Sequence, residues 1–448
     1  MARLTGTLLR SRSSDRRQIG AAALLSLGMV VLVTGPLAPL PGAAKRPLMA
    51  GPVIATVRVG VYPFDLAVDA RQGHVFVVNA GGKSISISGN VSVLDATTGR
   101  LLRTVPVGFI GSSLGFNELG LQQAVVADNR AGRVFVLSAG RLAMLDAASG
   151  RVLRVLGIGT IAGGLAVDER TGRLFVATSS DVRVLDGATG HVLRTLPISG
   201  FVLALDTRAG RVIVSNYDTV SVLDVGTGRL LRTTPIDGGR ACWLAADSTA
   251  GRAVLAVDRS NPQEPGQQPG PEEAWVLDTR SGRVLHRTVL DEWQPLSCAI
   301  PTVAVDPVRG RAVVVTCTDP RFLGVQACLV TLLDTRSGRA LHGVRVGSVV
   351  PPNNDNIPPS SVYAGPVALD TRRGLTFVTT LDPYTRRSSS PVVALDTVVA
   401  LDTETGRVRA RIRVGRFAAA LAVDELTGRL FVANGDDNTV SVIDTTHL

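Results

Sequence analysis

Apolar residues in this chain fall in short runs of four to six, and turns of fixed composition separate them. The order is an apolar run, Asp-x-x-x-Gly-Arg, a second run, a variable stretch, then Val-Leu-Asp-x-x-x-Gly-Arg and a fourth run. The clearest copies are GLAVDERTGRLFVATSSDVRVLDGATGHVLRTLPIS (164–199) and VLALDTRAGRVIVSNYDTVSVLDVGTGRLLRTTPID (202–237). Runs this short and rich in Val and Leu predict strands. Their unbroken apolar character predicts sheets packed on both faces. Four strands in a unit of about 40 residues, repeated along the chain, predict the blades of a β-propeller.

The turns carry their own logic. The first-hairpin aspartates are Asp69, Asp128, Asp168, Asp206, Asp247, Asp306, Asp370 and Asp424, and a glycine follows each four residues later, from Gly73 to Gly428. The second-hairpin aspartates are Asp95, Asp146, Asp186, Asp224, Asp278, Asp334, Asp402 and Asp444, and all but the last have glycine at the same distance. Asp at the head of a turn accepts N–H groups two or three residues on, and glycine takes the positive-φ position that re-enters the next strand. Repetition at one turn in every unit marks these aspartates as turn residues rather than metal ligands or acid catalysts.

Seven units have four strands, and the eighth (419–444) stops after its third. Residues 53–60, VIATVRVG, match the fourth-strand pattern of RIRVG (411–415) and RTVPVG (103–108). The N-terminal strand is therefore expected to complete the last blade and remove an open sheet edge. The count is eight blades. Seven stays open if unit 7, with its doubled VVALD–TVVALD, is irregular. With 45% hydrophobic but only 4% aromatic residues, the core must be Val, Leu and Ala. A blade-packing tryptophan is missing, because Trp243, Trp275 and Trp293 all sit in one region.

The segments FVVNAGGKSIS…NVSVLDATTGRLLRTVPVG and FVANGDDNTVSVID resemble the YVTN-type β-propeller repeat over roughly residues 53–446. Phe stands for Tyr in the second strand, and several units lack the Asn, with Ser138 and Thr178 nearby instead. The resemblance implies the propeller fold. Its family spans surface and secreted proteins and relatives of lactonases, lyases and dehydrogenase subunits, so it implies no one activity.

Residues 1–46 stand outside the repeat. Arg3, Arg10, Arg12, Arg16 and Arg17 precede an uncharged stretch, 19–44, with the apolar heart AAALLSLGMVVLV (21–33). This reads as a secretory signal cleaved after Ala44, with an uncleaved membrane anchor as the alternative and 47–448 as one propeller domain. The protein is expected to be secreted or at the cell surface, and to touch a membrane only if that segment is retained. Formal net charge is +10. Without the leader, 40 basic and 36 acidic residues remain, and the arginines recur one per hairpin. That dispersed set reads as solvated surface and excludes a nucleic-acid stripe. Cys242, Cys298, Cys317 and Cys328 read as disulfides in an exported chain, with Cys317–Cys328 and Cys242–Cys298 as the expected pairs, ahead of zinc.

No catalytic motif emerges. His74 and His191 replace the turn arginine, His286 and His342 lie in fourth strands, and His447 is in the tail. No cofactor is expected. Calcium is the one candidate, at Asp436-Asp437-Asn438 or Asn353-Asn354-Asp355-Asn356. The remaining signal is loop length. The bottom turns keep their length, so insertions fall on the opposite, top face, at 81–90, 108–120, 260–273, 318–327, 348–362 and 381–391. Long loops on a rigid ring are where binding is placed. The leading expectation is a monomeric, non-enzymatic scaffold that binds a protein, glycan or wall component over blades 5, 6, 7 and 1. The alternative is a lactonase- or lyase-like enzyme. Candidate residues for either are Asn117, Glu118, Asn353, Asp355, Asp436 and Asp437.

Overall fold

The computed structural model describes residues 53–82, 89–108, 124–138, 140–159, 162–259, 270–291, 302–317, 328–346, 366–380 and 396–448. Each repeat forms one antiparallel sheet of four strands, here a to d from the channel outward. In blade 3 these are Ala162–Asp168, Arg173–Thr178, Val182–Asp186 and Val192–Leu196. There are eight such sheets, which settles the count at eight blades.

The last sheet takes its outer strand from the other end of the chain. Val53–Arg58 pairs with Thr439–Asp444, with Val53 opposite Ile443 and Arg58 opposite Thr439. Each of the other seven c–d hairpins has a register shift just before its second-hairpin aspartate, as at Val222/Leu223. The closing strand repeats that shift between Val53 and Ala55. It therefore fills a fourth-strand slot down to its bulge.

Burial follows the layering. Strand b is closed on both faces, and Val75, Phe76, Val77 and Val78 have no exposed surface. Strand d faces outward, so Leu153, Val155, Val192 and Leu193 stay roughly half exposed. The apolar core divides into eight clusters, and each joins two neighbouring blades. Between blades 1 and 2, for example, Phe76, Val78 and Val93 pack against Val134, Val136 and Leu145. Phe76, Phe135, Phe175, Phe377 and Phe431 on strand b, and Trp275 on strand c of blade 5, give six blades one buried aromatic each. Phenylalanine thus does the work that the missing tryptophan suggested was undone.

The turn chemistry is as the spacing predicts. Asp69 Oδ1 accepts the N–H groups of Arg71 and Gln72, both at 3.0 Å, and Gly73 has φ +66°. The second hairpin adds a hydroxyl: Thr98, Ser149, Thr189, Thr227, Ser281, Ser337 and Thr405 each donate to the aspartate three residues before. The second-hairpin glycine is doubly required. Gly338 has φ +68°, and a Cβ there would lie 2.5 Å from His286 Cβ of the preceding blade.

The arginines after the first-hairpin glycines correct the reading of a solvated basic set. Arg252 and Arg311 reach Asp278 and Asp334 at 2.9 and 3.0 Å, and Arg133, Arg211 and Arg429 pair in the same way with Asp146, Asp224 and Asp444. These side chains are only about a fifth to a third exposed, so each ties strand b to the c–d turn.

Neighbouring blades are latched at the bottom by side chains one residue past the first-hairpin aspartate. Asn129 Oδ1 accepts Ala70 N–H (2.9 Å), Glu169 accepts Asn129 N–H (3.2 Å), Ser248 accepts Thr207 N–H (3.1 Å) and Glu425 accepts Thr371 N–H (2.8 Å). A second latch lies deeper. Thr279 donates to buried Asp206 and Thr335 to buried Asp247, each across a seam. In blades 2 and 3 Ala147 and Gly187 occupy the threonine position. There Asp69 Oδ2 and Asp128 Oδ2 are buried with no hydrogen-bond partner. Burial raises the Asp69 carboxyl above the usual range, against its backbone hydrogen bonds.

The second-hairpin carboxyls shift the other way. Hydroxyl and N–H donors lower Asp146, Asp186 and Asp224. At Asp402 burial opposes the shift, yet hydrogen bonds from Arg409, Thr405 and Glu404 bring it to about 2. A carboxyl lowered by folding stabilises the fold above its unfolded value, near 4, and loses that contribution as pH falls through the folded value. The contribution of these turn carboxyls should therefore be lost as pH falls between about 4 and 2. A pH series of denaturant midpoints checks this, and a midpoint unchanged down to pH 2 would contradict it.

Candidate functional site

The b–c and d–a connections open on the face opposite the aspartate turns. Asn117, Glu118, Asn353 and Asp355 lie in such connections and outside the described residues. Asp436 and Asp437 are described. They belong to a single 3-10 turn, Gly435–Asp437, capped by Asn438 in the left-handed region. Asp437 is committed to Arg416, whose N–H reaches Oδ2 at 2.7 Å and whose Nε reaches Oδ1 at 2.6 Å. Asp436 donates its N–H to the Arg416 carbonyl at 3.2 Å. Among the described residues no three His, Cys, Asp or Glu side chains gather as a metal site.

The asparagine that ends strand b has a structural task. Asn434 is buried; its Nδ2 donates to Thr439 and Ser441, and its Oδ1 accepts Gly415 N–H at 3.1 Å. It ties the incoming d–a connection to strands b and c. Asn79 does the same work in blade 1 through Asn90 and Ser92, and Ser92 accepts Gly60 N–H.

Beside this frame lies a feature that spacing alone did not single out. Among the described residues three non-glycines have positive φ, and all three sit at the seam of blades 8 and 1: Tyr62 (57°), Phe417 (56°) and Asn438 (56°). The segments VGVYP and VGRFA put Tyr62 and Phe417 at the same place in successive repeats. The left-handed turn aims the Tyr62 carbonyl at Ala80 N–H (3.0 Å) and the Phe417 carbonyl at Gly435 N–H (2.8 Å). Asn438 Oδ1 accepts Tyr62 N–H at 2.8 Å. A bulky L-residue in this region costs about 1–2 kcal/mol. The two rings stack at 5.6 Å with 21° between their planes.

Next to Tyr62, the Asp65 carboxylate holds the start of blade 2. Oδ2 accepts the N–H groups of Ala124 (2.6 Å) and Val125 (3.1 Å), and Oδ1 accepts Leu66 N–H (2.8 Å). Burial pushes this carboxyl up to about 6, although the three N–H bonds favour the charged form.

Aromatic residues sort by position in the repeat, and Tyr62, Phe64, Phe201 and Trp243 at the tops of the blades pack partly against the core clusters. Of three Trp, four Tyr and eleven Phe, the six named above are buried in blades. Every other one lies in a b–c or d–a connection or in the first half of an inner strand. A second pair resembles the first: Phe201 and Tyr217 lie 5.3 Å apart, with Arg240 5.9 Å over the Tyr217 ring. The histidines are elsewhere. His74 shares a 2.8 Å hydrogen bond with the Ala147 carbonyl, and His286 and His342 are exposed on outer strands.

Cys317 and Cys328 are directly opposite in the b–c pairing of blade 6. Cys242 lies at the register shift between Ala241 and Trp243, and Cys298 lies outside the described residues.

This arrangement defines an eight-bladed β-propeller with an elaborated top face. No protein-family model matches the chain. No curated protein matches it either. Among solved structures it is similar to the hydrazine synthase of Kuenenia stuttgartiensis, at 16% identity and a TM-score of 0.49, over 86% of this chain and 96% of that one.

Proposed function

We propose that the protein is an exported binding scaffold of the YVTN-repeat type that engages a protein, glycan or wall component through its top-face connections. The observation that carries this is the segregation of aromatics. Bottom turns and outer strands contain none, while the top connections and inner-strand tops hold all that the core does not. Aromatic side chains on a surface give large contact area at low entropic cost and mark binding faces. Insertions of variable length fall in the same connections. The basic and apolar segment in 1–46 supports export, as does the cysteine pattern.

The enzyme reading, lactonase- or lyase-like, has less support. Among the described residues, the one strongly shifted carboxyl near the top, Asp65, already spends both oxygens on backbone N–H groups. An acid/base role would need a free one.

The test is to shorten 260–273 or 348–362 to the length of the compact blades. Folding should persist, because strands and bottom turns are untouched, and most of the binding should go. Full-strength binding by the shortened protein, with loss on bottom-rim substitutions, would refute the face assignment.

The cysteine pairing is part of the same proposal. Directly opposed residues on antiparallel strands lie about 4.5–5.5 Å apart at Cα, inside the range a disulfide spans. Cys317–Cys328 and Cys242–Cys298 are the expected bridges. Non-reducing peptide mapping should recover these two pairs, and crossed pairs or free thiols would refute them.

A further inference from the structure

Positive and negative charge alternate along the chain, and the fold sorts them by depth. Every a–b and c–d turn opens on an aspartate that is drawn into the turn. The a–b aspartates, Asp69 to Asp424, are buried, and the c–d aspartates accept donors of their own turn. The residue two places past each of these aspartates is exposed in every turn. That position holds Arg71, Arg130, Arg170, Arg208 and Arg372 in the a–b turns, and Arg280 and Arg336 in the c–d turns. Arg170 has Asp168 at 3.7 Å with its side chain still 63% exposed, and no described carboxylate reaches the others. Glu404 is the one exposed acid among these turns. A second tier follows the c–d glycines. Arg100, Arg151 and Arg229 are exposed there, unlike the paired arginines after the a–b glycines. The bottom face is therefore strongly cationic, although the propeller as a whole is close to balanced.

The same turn position also carries aliphatics. Val308 and Leu426 stand there 72% and 55% exposed, more than any other large hydrophobic side chain described. The turns share one length and one hydrogen-bond scheme, so their tips form an even annulus rather than a groove. A planar anionic surface matches that shape. Guanidinium groups pair with phosphate, each cation near the interface is attracted to anionic headgroups, and aliphatic tips enter the acyl boundary. Nucleic acid matches it less well. Duplex reading needs an element that enters a groove, and single strands need aromatic rings on which bases stack. The bottom turns contain neither.

We propose that the bottom face is a docking surface for an anionic lipid bilayer. It lies opposite the top connections and stands independently of the function proposed for them. A ring docked in this way would hold those connections away from the membrane.

The experiment sediments the full chain with phosphatidylcholine vesicles, with and without about 30% phosphatidylglycerol, at low and high salt. Binding should require the anionic lipid, and salt should release it. Arg208→Gln/Arg280→Gln/Arg336→Gln should weaken the salt-reversible binding tenfold or more. Arg58→Gln/Arg345→Gln/Arg413→Gln removes the same charge from the upper ends of outer strands and should stay within about threefold. None of these side chains makes a hydrogen bond or ion pair among the described residues, so both variants should keep the parent's melting curve. Val308→Ser/Leu426→Ser should weaken binding about threefold without changing its salt dependence. Phenylglyoxal footprinting locates the contact however else the chain is held: anionic vesicles should protect Arg280 and Arg336 and leave Arg345 and Arg413 reactive. Equal losses in the two triple variants would show attraction by net charge alone and overturn the docking face. Absence of salt-reversible binding together with an unchanged footprint would overturn it too. Duplex DNA that displaces the vesicles at lower concentration and gives the same footprint would overturn the lipid assignment.

Discussion

A chain lacking residues 47–60 should melt far below the intact protein or aggregate. The deletion removes the whole of Val53–Arg58, so Thr439–Asp444 becomes an edge strand with unpaired N–H and C=O groups. It also strips Ala55, Val57 and Val59 from the apolar cluster that joins blades 8 and 1. Val59 additionally donates its N–H to the Asn438 carbonyl, so the left-handed turn at the seam loses its brace. The damage is confined to one seam, but a ring has no spare seam, and the fold opens there. Differential scanning calorimetry of the two forms decides the matter. An unchanged melting temperature would show that the first strand is dispensable.

The second large effect is expected at the buried aspartates between blades. Asp206→Ala deprives the Ala209 N–H and the Thr279 hydroxyl of their acceptor in a site closed to water. Leaving such donors unsatisfied costs about 1–3 kcal/mol each, so a loss of about 2–6 kcal/mol is expected. Thr279→Val alone should cost about 1–3 kcal/mol, because it orphans a carboxylate oxygen. The double variant should lose less than the two losses added together, as contacting partners do. Blade 2 offers the reverse experiment. Ala147→Thr places a hydroxyl where Thr279 and Thr335 have theirs, opposite the unsatisfied Asp69 Oδ2, and should gain about 1 kcal/mol. Guanidinium unfolding with fitted slopes measures all four. A destabilised Ala147→Thr would mean that the site cannot take the side chain.

What the sequence made legible and what it hid separate by distance along the chain. Asp69, Arg71 and Gln72 are neighbours in sequence, so their hydrogen bonds could be read from spacing. So could the match of VIATVRVG to the other fourth strands, because the repeat supplied seven templates. The latches were not legible. Asn129 serves Ala70 and Thr279 serves Asp206 across 59 and 73 residues, and each looks like ordinary turn composition until blades are set side by side. The arginines after the turn glycines were read as surface for the same reason: their partners are in the next hairpin.

Of the candidate site residues, only Asp436 and Asp437 fall among the described residues. Asx-rich loops suggested Asp436 and Asp437 as ligands, and Asp437 turns out to be spoken for by Arg416. Tyr62 and Phe417 were visible as parallel segments, VGVYP and VGRFA. Their meaning depends on a backbone angle that no composition reveals.

The pairing of Val53–Arg58 with Thr439–Asp444 also sets a timetable for synthesis. The first strand of the ring to leave the ribosome has as its partner the last one made. Blades 1 to 7 can form as their residues emerge, since each is complete within its own stretch of chain. Blade 8 cannot, and until residues 439–444 are free, Val53–Arg58 has no sheet to join. A growing chain is thus an open arc with an unsatisfied strand at its leading end, held from closing by topology alone. That state lasts until residues 439–444 have emerged, and a transport machine or chaperone that needs an unclosed chain would have that interval in which to act.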